Sequence, residues 1–219
     1  QLAAAQNNTS AQNNLGFLYH NGTGVTQSFT KAKELFHDAA EAGDPSAQYN
    51  LGYLYSKGRG VEQNMEEAVK WFLKAALQGH TNAQFQLALC YKSGSGIAPN
   101  EEEAIKWLTV AANEGHTNAQ YSLGLFYKQQ PSKKSLDYAM KWLSKAASNE
   151  HISACFDLGL LYKSLHQLET AFKWLKRAAV KGHKDAQYEL GCFYLDGEFV
   201  MQNYVEAFKW FRVAASQNH

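Results

Sequence analysis

The chain has 219 residues, of which 45% are hydrophobic and 13% aromatic, which is enough apolar material for a continuous core. Its 21 Lys and Arg residues against 20 Asp and Glu residues give a formal net charge of +1, so the balance indicates neither nucleic acid nor an anionic membrane as a partner. No apolar run approaches the roughly 20 residues that span a bilayer. Membrane insertion by this segment is therefore not expected.

An alanine recurs along the chain at nearly constant spacing, and the sequence around it recurs too. Successive alanines are 36, 36, 36, 35 and 32 residues apart, at Ala11, Ala47, Ala83, Ala119, Ala154 and Ala186. A fixed period of this size indicates stacked repeats. We predict one solenoid domain over residues 1–219, with repeats at about 11–46, 47–82, 83–118, 119–153, 154–185 and 186–219. Residues 1–10 resemble the end of a preceding repeat, so a longer chain is expected.

The second copy predicts a first helix that begins near its alanine. Ala47, Leu51, Leu54 and Tyr55 share one face at helical spacing. Gly52 stands in the middle of this helix, where it costs about 1 kcal/mol relative to Ala. A small residue recurs at this point in the other copies: Gly16, Ala88, Gly124, Gly159 and Gly191. We expect it to let a neighbouring helix approach closely.

A glycine loop and a second helix follow. Gly58 and Gly60 suit a left-handed helix exit, and because they follow a helix this explanation is favoured over a phosphate-binding loop. Asn64 and Glu67 form a capping-box pattern in which the Asn caps the helix and the Glu reaches back to the cap. The helix then presents a stripe of alanines and aromatics: Ala68, Trp71, Phe72, Ala75 and Ala76. Each copy is thus a helix-turn-helix unit that must stack to bury its apolar stripes.

These residues resemble the Sel-1-like repeat (SLR), a relative of the tetratricopeptide repeat. The pattern is Ala-x-x-x-Leu-Gly-x-x-Tyr-x-x-Gly-x-Gly-Val, then Ala-x-Lys-Trp-Phe-x-Lys-Ala-Ala-x-x-Gly-His, and it runs from Ala47 to His80. The resemblance covers essentially the whole chain. It implies an all-α fold, a right-handed superhelical α-solenoid of stacked helix-turn-helix repeats, and a role as a scaffold or adaptor.

Two adjacent copies depart from the pattern. The fourth replaces the glycine loop by the segment 129–135 and ends in Asn149-Glu150 where a glycine is expected, and the fifth shortens its loop to 163–170. We expect these departures to change the superhelical curvature and to be a place where the array acquires specificity.

By analogy with the tetratricopeptide fold, the residues two, three, six, nine and ten steps beyond each alanine line a concave groove. We call them the first-helix face. The position at two steps is aromatic in five copies, and these rings either grip a partner or pack between helices. The positions at three and nine steps vary, and the lysines at nine steps either bind or form a solvated face. The candidate partner-binding residues are Asn14, Tyr49, Asn50, Phe85, Gln86, Lys92, Tyr121, Ser122, Lys128, Phe156, Asp157, Lys163, Tyr188 and Glu189.

Histidines recur just beyond the second helix in five copies, with Asp44 in their place in the first, but their spacing does not favour a metal site. Equivalent positions in stacked units lie about 8–10 Å or more apart, whereas zinc ligands converge to about 2.0–2.1 Å. A structural role at the turn or cap is therefore expected for His80, His116, His151, His183 and His219. No cofactor or metal is predicted.

The three cysteines do not suggest disulfides or catalysis. Cys90, Cys155 and Cys192 stand at non-equivalent positions, which favours a reducing compartment, although export stays open. Cys155 lies four residues after His151, but no third group orients that histidine, so a catalytic pair is not favoured.

Two functions fit this sequence. The first is a non-catalytic scaffold or adaptor that binds a partner protein or peptide along the groove, with a monomer as the expected state. The alternative is a regulatory or inhibitory module: an immunity protein, an enzyme-activating subunit or a bacterial virulence factor.

Overall fold

The computed structural model describes residues 8–217, and every regular element within that range is an α-helix. The helices alternate between two roles. The first helices of the six repeats are α1 Thr9–Asn21, α3 Pro45–Lys57, α5 Thr81–Ser93, α7 Thr117–Lys128, α9 Ile152–Ser164 and α11 Lys184–Asp196. The second helices are α2 Phe29–Glu41, α4 Met65–Leu77, α6 Glu101–Asn113, α8 Lys133–Ser148, α10 Leu168–Val180 and α12 Tyr204–Ser216. The predicted all-α, helix-turn-helix solenoid is confirmed.

Each first helix begins two residues before its recurring alanine, because the N-cap stands three residues before that alanine. Asp44, for example, accepts a hydrogen bond at 2.8 Å from the backbone N–H of Ala47. Within the described residues, no helix combines the length and apolar composition that a membrane span requires.

The chain divides into two compact units, residues 1–116 and residues 117–219. The first unit holds α1–α6 and the second holds α7–α12. In both units a second helix packs against its own first helix and against the first helix of the next repeat: α2 against α3, α4 against α5, α8 against α9, and α10 against α11. Each unit is therefore a stack in which a repeat contacts mainly its neighbours, as repeat architecture requires.

The predicted apolar stripes form the core. Ala47, Leu51 and Leu54 of α3 are fully buried, and Trp71 and Phe72 of α4 are almost fully buried. Two of the equivalent residues in the second unit, Leu158 and Leu175, are also fully buried. Bulky side chains on the second helices thus fill space beside the alanines of their neighbours.

The mid-helix glycine gives the second helix of the same repeat room to approach. A Cβ placed on Gly52 would lie 2.8 Å from the ring of Phe72 and 3.1 Å from the carbonyl oxygen of Ala68. Gly124 and Gly159 stand in the same relation to leucines of α8 and α10. The expected close helix approach is confirmed. The cost of glycine in a helix is accepted because only a hydrogen atom fits there.

The glycine loop joins neighbouring repeats as well as ending the helix. Gly58 adopts a left-handed φ of 65° and donates its N–H to the carbonyl of Leu54, as predicted for a helix exit. A Cβ on Gly60 would lie 2.6 Å from the backbone carbonyl of Phe29, at the start of the preceding repeat's second helix. The second glycine is therefore required by this backbone contact.

The second helices are capped, but the capping box is only half formed. The side chain of Asn64 accepts a hydrogen bond from the N–H of Glu67 at 3.0 Å, as predicted. Glu67 does not reach back to the cap, because the Asn64 N–H already donates to the carbonyl of Tyr55 at 3.0 Å. The carboxylate pairs instead with Lys70, three residues along the helix.

The same backbone bond closes the loop of other repeats. Ser28, Asn100, Gln167 and Asn203 donate their N–H groups to the carbonyls of Tyr19, Tyr91, Tyr162 and Tyr194 respectively. The shortened fifth loop keeps this bond because His166 takes a left-handed φ of 56° that turns the chain within fewer residues.

Gly52→Ala should lower the free energy of unfolding by up to about 2 kcal/mol, since overpacking costs about 1–3 kcal/mol and the gain in helix propensity offsets about 1 kcal/mol. The measurement is chemical denaturation. The third repeat carries Ala88 and Leu108 at the equivalent positions, so Gly52→Ala combined with Phe72→Leu should lose less stability than the two substitutions added together. Strict additivity would contradict the proposed steric conflict.

Candidate functional site

The recurring histidines are N-caps of the first helices. Nδ1 of His80, His151 and His183 accepts the backbone N–H three residues ahead, at 3.2, 3.1 and 3.4 Å. Asp44 serves the same purpose in the second repeat with a carboxylate oxygen. A ring that accepts at Nδ1 is neutral and carries its proton on Nε2. The predicted structural role is confirmed for these three histidines, and His219 lies outside the described residues.

The aromatic residue two steps beyond each alanine stacks on the histidine that opens the next repeat. The ring centroids are 4.7 Å apart for Tyr49 and His80, 4.4 Å for Phe85 and His116, 4.2 Å for Tyr121 and His151, and 4.4 Å for Phe156 and His183. All four aromatics are half-buried. The last member, Tyr188, is 56% exposed. Four of the five aromatics thus pack against a histidine at a repeat junction.

Burial lowers the pKa of His80, His116 and His151, because each ring lies under its aromatic neighbour and out of water. Protonation would also remove the lone pair with which Nδ1 of His80 and His151 caps a helix, and it would place a positive charge at the positive end of the helix dipole. The caps are therefore functional only while the imidazoles are neutral.

In the second unit, the variable positions of the first-helix face bond to one another across the repeat junctions. Asp157 accepts from the hydroxyl of Tyr121 at 2.9 Å and from the ammonium of Lys128 at 2.7 Å. Lys163 donates to Glu189 at 2.7 Å. Burial, together with the bond to Asp157, raises the pKa of Tyr121 to about 12. These lysines therefore belong to ion pairs and not to a uniformly basic surface.

In the first unit, the residues at the same positions make different contacts. Asn50 donates to the side-chain oxygen of Asn13 at 2.9 Å. Asn14 and Lys92 are exposed, and Gln86 is half-buried, as is Ser122 in the second unit. A cavity of about 330 Å³ opens on this face between α1 and α3, and Tyr49 and Asn50 line it. Phe17, His20 and Tyr53, at positions six and nine of the face, line it too.

A row of buried glutamines was not anticipated as a structural feature. The residue one step beyond the alanine lies at most 9% exposed at Gln12, Gln48, Gln84, Gln120 and Gln187. The amides of Gln48 and Gln187 donate to the last turn of the preceding second helix at 3.1 Å, and their oxygens accept from Gln78 and Gln217 at 2.8 Å. The signal was present in the sequence, because a polar residue recurs beside an alanine that is fully buried in five of the six copies.

The third repeat leaves this glutamine incompletely bonded. Glu114 takes the place of Gln78, and its carboxylate can only accept, so the amide of Gln84 is shared at 3.5 Å between Glu114 and the carbonyl of Ala76. The side-chain oxygen of Gln84 is buried without a hydrogen-bond partner. An orphaned acceptor of this kind costs about 1–3 kcal/mol.

The fourth repeat ends in a strained residue. Glu150 has a left-handed φ of 64° at a turn where other repeats place Gly43, Gly79, Gly115 and Gly182. Its carboxylate lies 2.9 Å from Lys181 and 4.0 Å from Arg177, both on or beside the second helix of the next repeat. These ion pairs lower the pKa of Glu150.

The cysteines do not pair with histidine. The thiol of Cys155 points to the carbonyl of Ala147 at 3.7 Å, whereas Nδ1 of His151 caps its own helix. Cys90 and Cys155 are buried, Cys192 is half-buried, and all three are free thiols. Across residues 8–217, no group of three or more His, Cys, Asp or Glu side chains is placed to hold a metal ion.

Helix pairs that repeat in register, with capping and side-chain ladders at each junction, define a helical-repeat protein. The model of the Sel1 repeat family matches residues 9–44, 45–80, 81–116, 117–151, 152–183 and 184–219. The chain belongs to the Sel1 repeat family, as the sequence resemblance indicated. A comparison with curated proteins finds no match.

Solved structures agree with this assignment. A protective antigen of uropathogenic Escherichia coli with an SLR fold, c5321, is 31% identical over 98% of this chain, with a TM-score of 0.88. The chain spans 47% of that protein's length. A Sel1 repeat protein from Oxalobacter formigenes is 34% identical over 96% of this chain and 86% of its own, with a TM-score of 0.81. The immunity protein Pa5087 from Pseudomonas aeruginosa is 18% identical over 95% of this chain and 81% of its own, with a TM-score of 0.54, and shares the fold alone.

The histidine caps should make the protein less stable in acid. Because the folded pKa values of His80, His116 and His151 lie below the ordinary value of 6.5, the unfolded chain binds more protons below that pH. The stability that the neutral caps supply is complete above pH 6.5 and is lost as the pH falls, with about 1 kcal/mol for each cap that breaks.

The measurement is the free energy of unfolding at several values between pH 7 and pH 5. His80→Asp copies the cap of the second repeat and should make this dependence less steep. An equal slope in the native protein and His80→Asp would contradict the role of the caps.

Glu114→Gln should raise the free energy of unfolding by about 1 kcal/mol, because the new amide can donate to the orphaned oxygen of Gln84. The bond that Thr81 donates to the side chain at position 114 can be kept by the remaining oxygen. Gln78→Glu, the mirror change in the second repeat, should lower stability by a similar amount. Denaturant titration measures both, and no change in either variant would rule out this account of the glutamine row.

Proposed function

We propose that this chain is a non-catalytic interaction module, a scaffold or adaptor, that binds a partner protein or peptide along the first-helix face. Sel1 repeats are commonly protein-interaction modules and generally lack catalytic activity of their own. The proposal draws first on the 330 Å³ cavity in this face, where aromatic and amide side chains meet. The variable residues Asn14, Gln86 and Lys92 support it, because they are accessible on the same face.

The stacking of the aromatics on the capping histidines refines the candidate set. Residues that hold the repeats together serve a partner only through their exposed edges, whereas Asn14, Lys92 and the cavity residues can contact a partner without opening a junction. Two ion pairs lie on this face in the second unit, Lys128 with Asp157 and Lys163 with Glu189. We propose that they fix the register of the second unit while their exposed atoms contact the partner.

The alternative is that the partner is an enzyme or toxin whose activity the chain regulates. Two similarities support this alternative: the likeness to c5321, a protective antigen, and the fold shared with an immunity protein. The activity of the captured partner, measured with and without this protein, separates the two functions: a scaffold leaves that activity unchanged.

The face itself is tested with two variants of equal added charge. None of the fifteen positions of the first-helix face in repeats 1–3 is acidic, so Asn14→Glu with Gln86→Glu should weaken partner binding about tenfold or more, the effect of about 1.4 kcal/mol. Leu77→Glu with Asn113→Glu places the same charge on exposed ends of second helices and should leave binding unchanged.

Binding is measured by affinity capture of partners from the source organism, followed by titration of the purified partner. Circular dichroism and unfolding confirm that both variants are folded. Equal binding by the native protein and the Asn14→Glu, Gln86→Glu variant would exclude this face as the interaction surface.

A further inference from the structure

The cavity between α1 and α3 has the shape of a pocket for a single bulky apolar side chain. The rings of Phe17, Tyr49 and Tyr53 line it, and Phe36, which is 2% exposed, closes it on the side of the core. Phe17 is 53% exposed although it belongs to this wall. The volume of the cavity, about 330 Å³, is at the lower end of the range of about 300–1,000 Å³ for ligand sites.

A fixed positive charge lies close to this pocket. The guanidinium of Arg59 is 5.7 Å from the ring centres of both Phe29 and Tyr53, and one of its nitrogens is 3.4 Å from Nε2 of His20. Nδ1 of His20 is 3.0 Å from the side-chain oxygen of Asn21. These contacts are mutually consistent if His20 is neutral, donates from Nδ1 and accepts from Arg59 at Nε2.

The guanidinium of Arg59 forms no ion pair with a carboxylate of the described residues. The first-helix face of repeats 1–3 holds no carboxylate. In the second unit, by contrast, Lys128 and Lys163 are neutralised by Asp157 and Glu189 on the same face. Arg59 therefore offers a planar set of donors suited to a carboxylate from outside.

The two rim amides complete the site. The side-chain amide nitrogen Nδ2 of Asn50 donates to Oδ1 of Asn13, and the side-chain oxygen Oδ1 of Asn50 accepts no hydrogen bond from residues 8–217. Asn21 receives the His20 bond on its oxygen, and its amide N–H group makes no bond within the same range. One acceptor and one donor at the edge of an apolar pocket suit the N–H and C=O groups of an extended peptide.

We propose that this pocket takes an aromatic or branched aliphatic side chain from an extended segment of the partner, and that Arg59 pairs with an Asp or Glu side chain next to it in that segment. This inference rests on the proposed function and adds the chemistry of the partner to it. An apolar anchor in a desolvated pocket with an adjacent charged pair is the arrangement in which few residues supply most of the binding energy.

The probe is a library of random dodecapeptides displayed on phage and selected on the purified intact chain. The selected sequences should be enriched in Phe, Tyr, Trp, Leu or Ile within two positions of Asp or Glu. The strongest of them are then synthesised with an acetylated N-terminus and an amidated C-terminus, so that only side chains supply carboxylates, and are titrated by fluorescence anisotropy.

Arg59→Glu and Phe17→Ser should each weaken binding of these peptides about tenfold or more. Lys176→Glu and Leu77→Ser, a charge reversal and a truncation at exposed positions elsewhere, should not weaken it. Selection on Arg59→Glu should replace Asp and Glu by Lys and Arg beside the anchor. That reversal is not expected from a general loss of folding.

Several results would overturn the pocket assignment. One is an absence of enriched peptides, a second is enrichment without acidic residues, and a third is equal binding to Arg59→Glu. A concentration-dependent dimer that Arg59→Glu abolishes would assign the pocket to a second copy of the chain instead. The peptides could instead keep their affinity for the Arg59→Glu variant and lose it for the Asn14→Glu, Gln86→Glu double variant. That result would reject the pocket and retain the first-helix face as the interaction surface. If neither variant affects peptide binding, both proposals fail.

Discussion

The structure depends on the close approach of two helices at a point where one of them has no side chain. Gly52 and its equivalents allow a large residue of the second helix to lie directly against the backbone of the first. That contact allows the two helices of a repeat to pack closely. The glycine loop imposes a second constraint of the same kind, because Gly60 meets the backbone of the preceding repeat. Small residues thus fix the geometry, and the large ones fill what remains.

Recurrence and function point to different residues in this protein. Four aromatic and histidine pairs stack across junctions, and a position that recurs for packing carries little information about a partner. The residues that distinguish one junction from another are the ones that vary. Asn50 bonds to Asn13 where Asp157 receives a lysine and a tyrosine. The same face is therefore built of amides in one unit and of paired charges in the other.

The fold could be predicted almost completely from the sequence, because the pattern of every element recurs in several repeats. The helix pairs, the glycine exits, the asparagine caps and the buried alanine stripes followed from spacing and propensity. The site could be predicted only in part. Pairs such as Lys128 with Asp157 or Lys163 with Glu189 join residues 29 and 26 apart, which are not multiples of the period. They depend on how far one first helix is displaced along its neighbour, and that displacement is set by packing and not by periodicity. The loop arginine near the pocket was missed for a similar reason, since Arg59 stands outside the first-helix positions.

The bonds within a repeat and between neighbouring repeats are short-ranged along the chain. The loop-closing bond from Asn64 to Tyr55 spans 9 residues, and the side-chain bond between Asn50 and Asn13 spans 37. Contacts of such low order involve only small loop-closure entropies, so any adjacent pair of repeats can nucleate folding and its neighbours can add in sequence. The corresponding unfolding begins at the ends of a stack, where a repeat has one neighbour. A ligand that bridges α1 and α3 would tie two neighbouring repeats of the first unit together, and it would oppose any local unfolding that separates them.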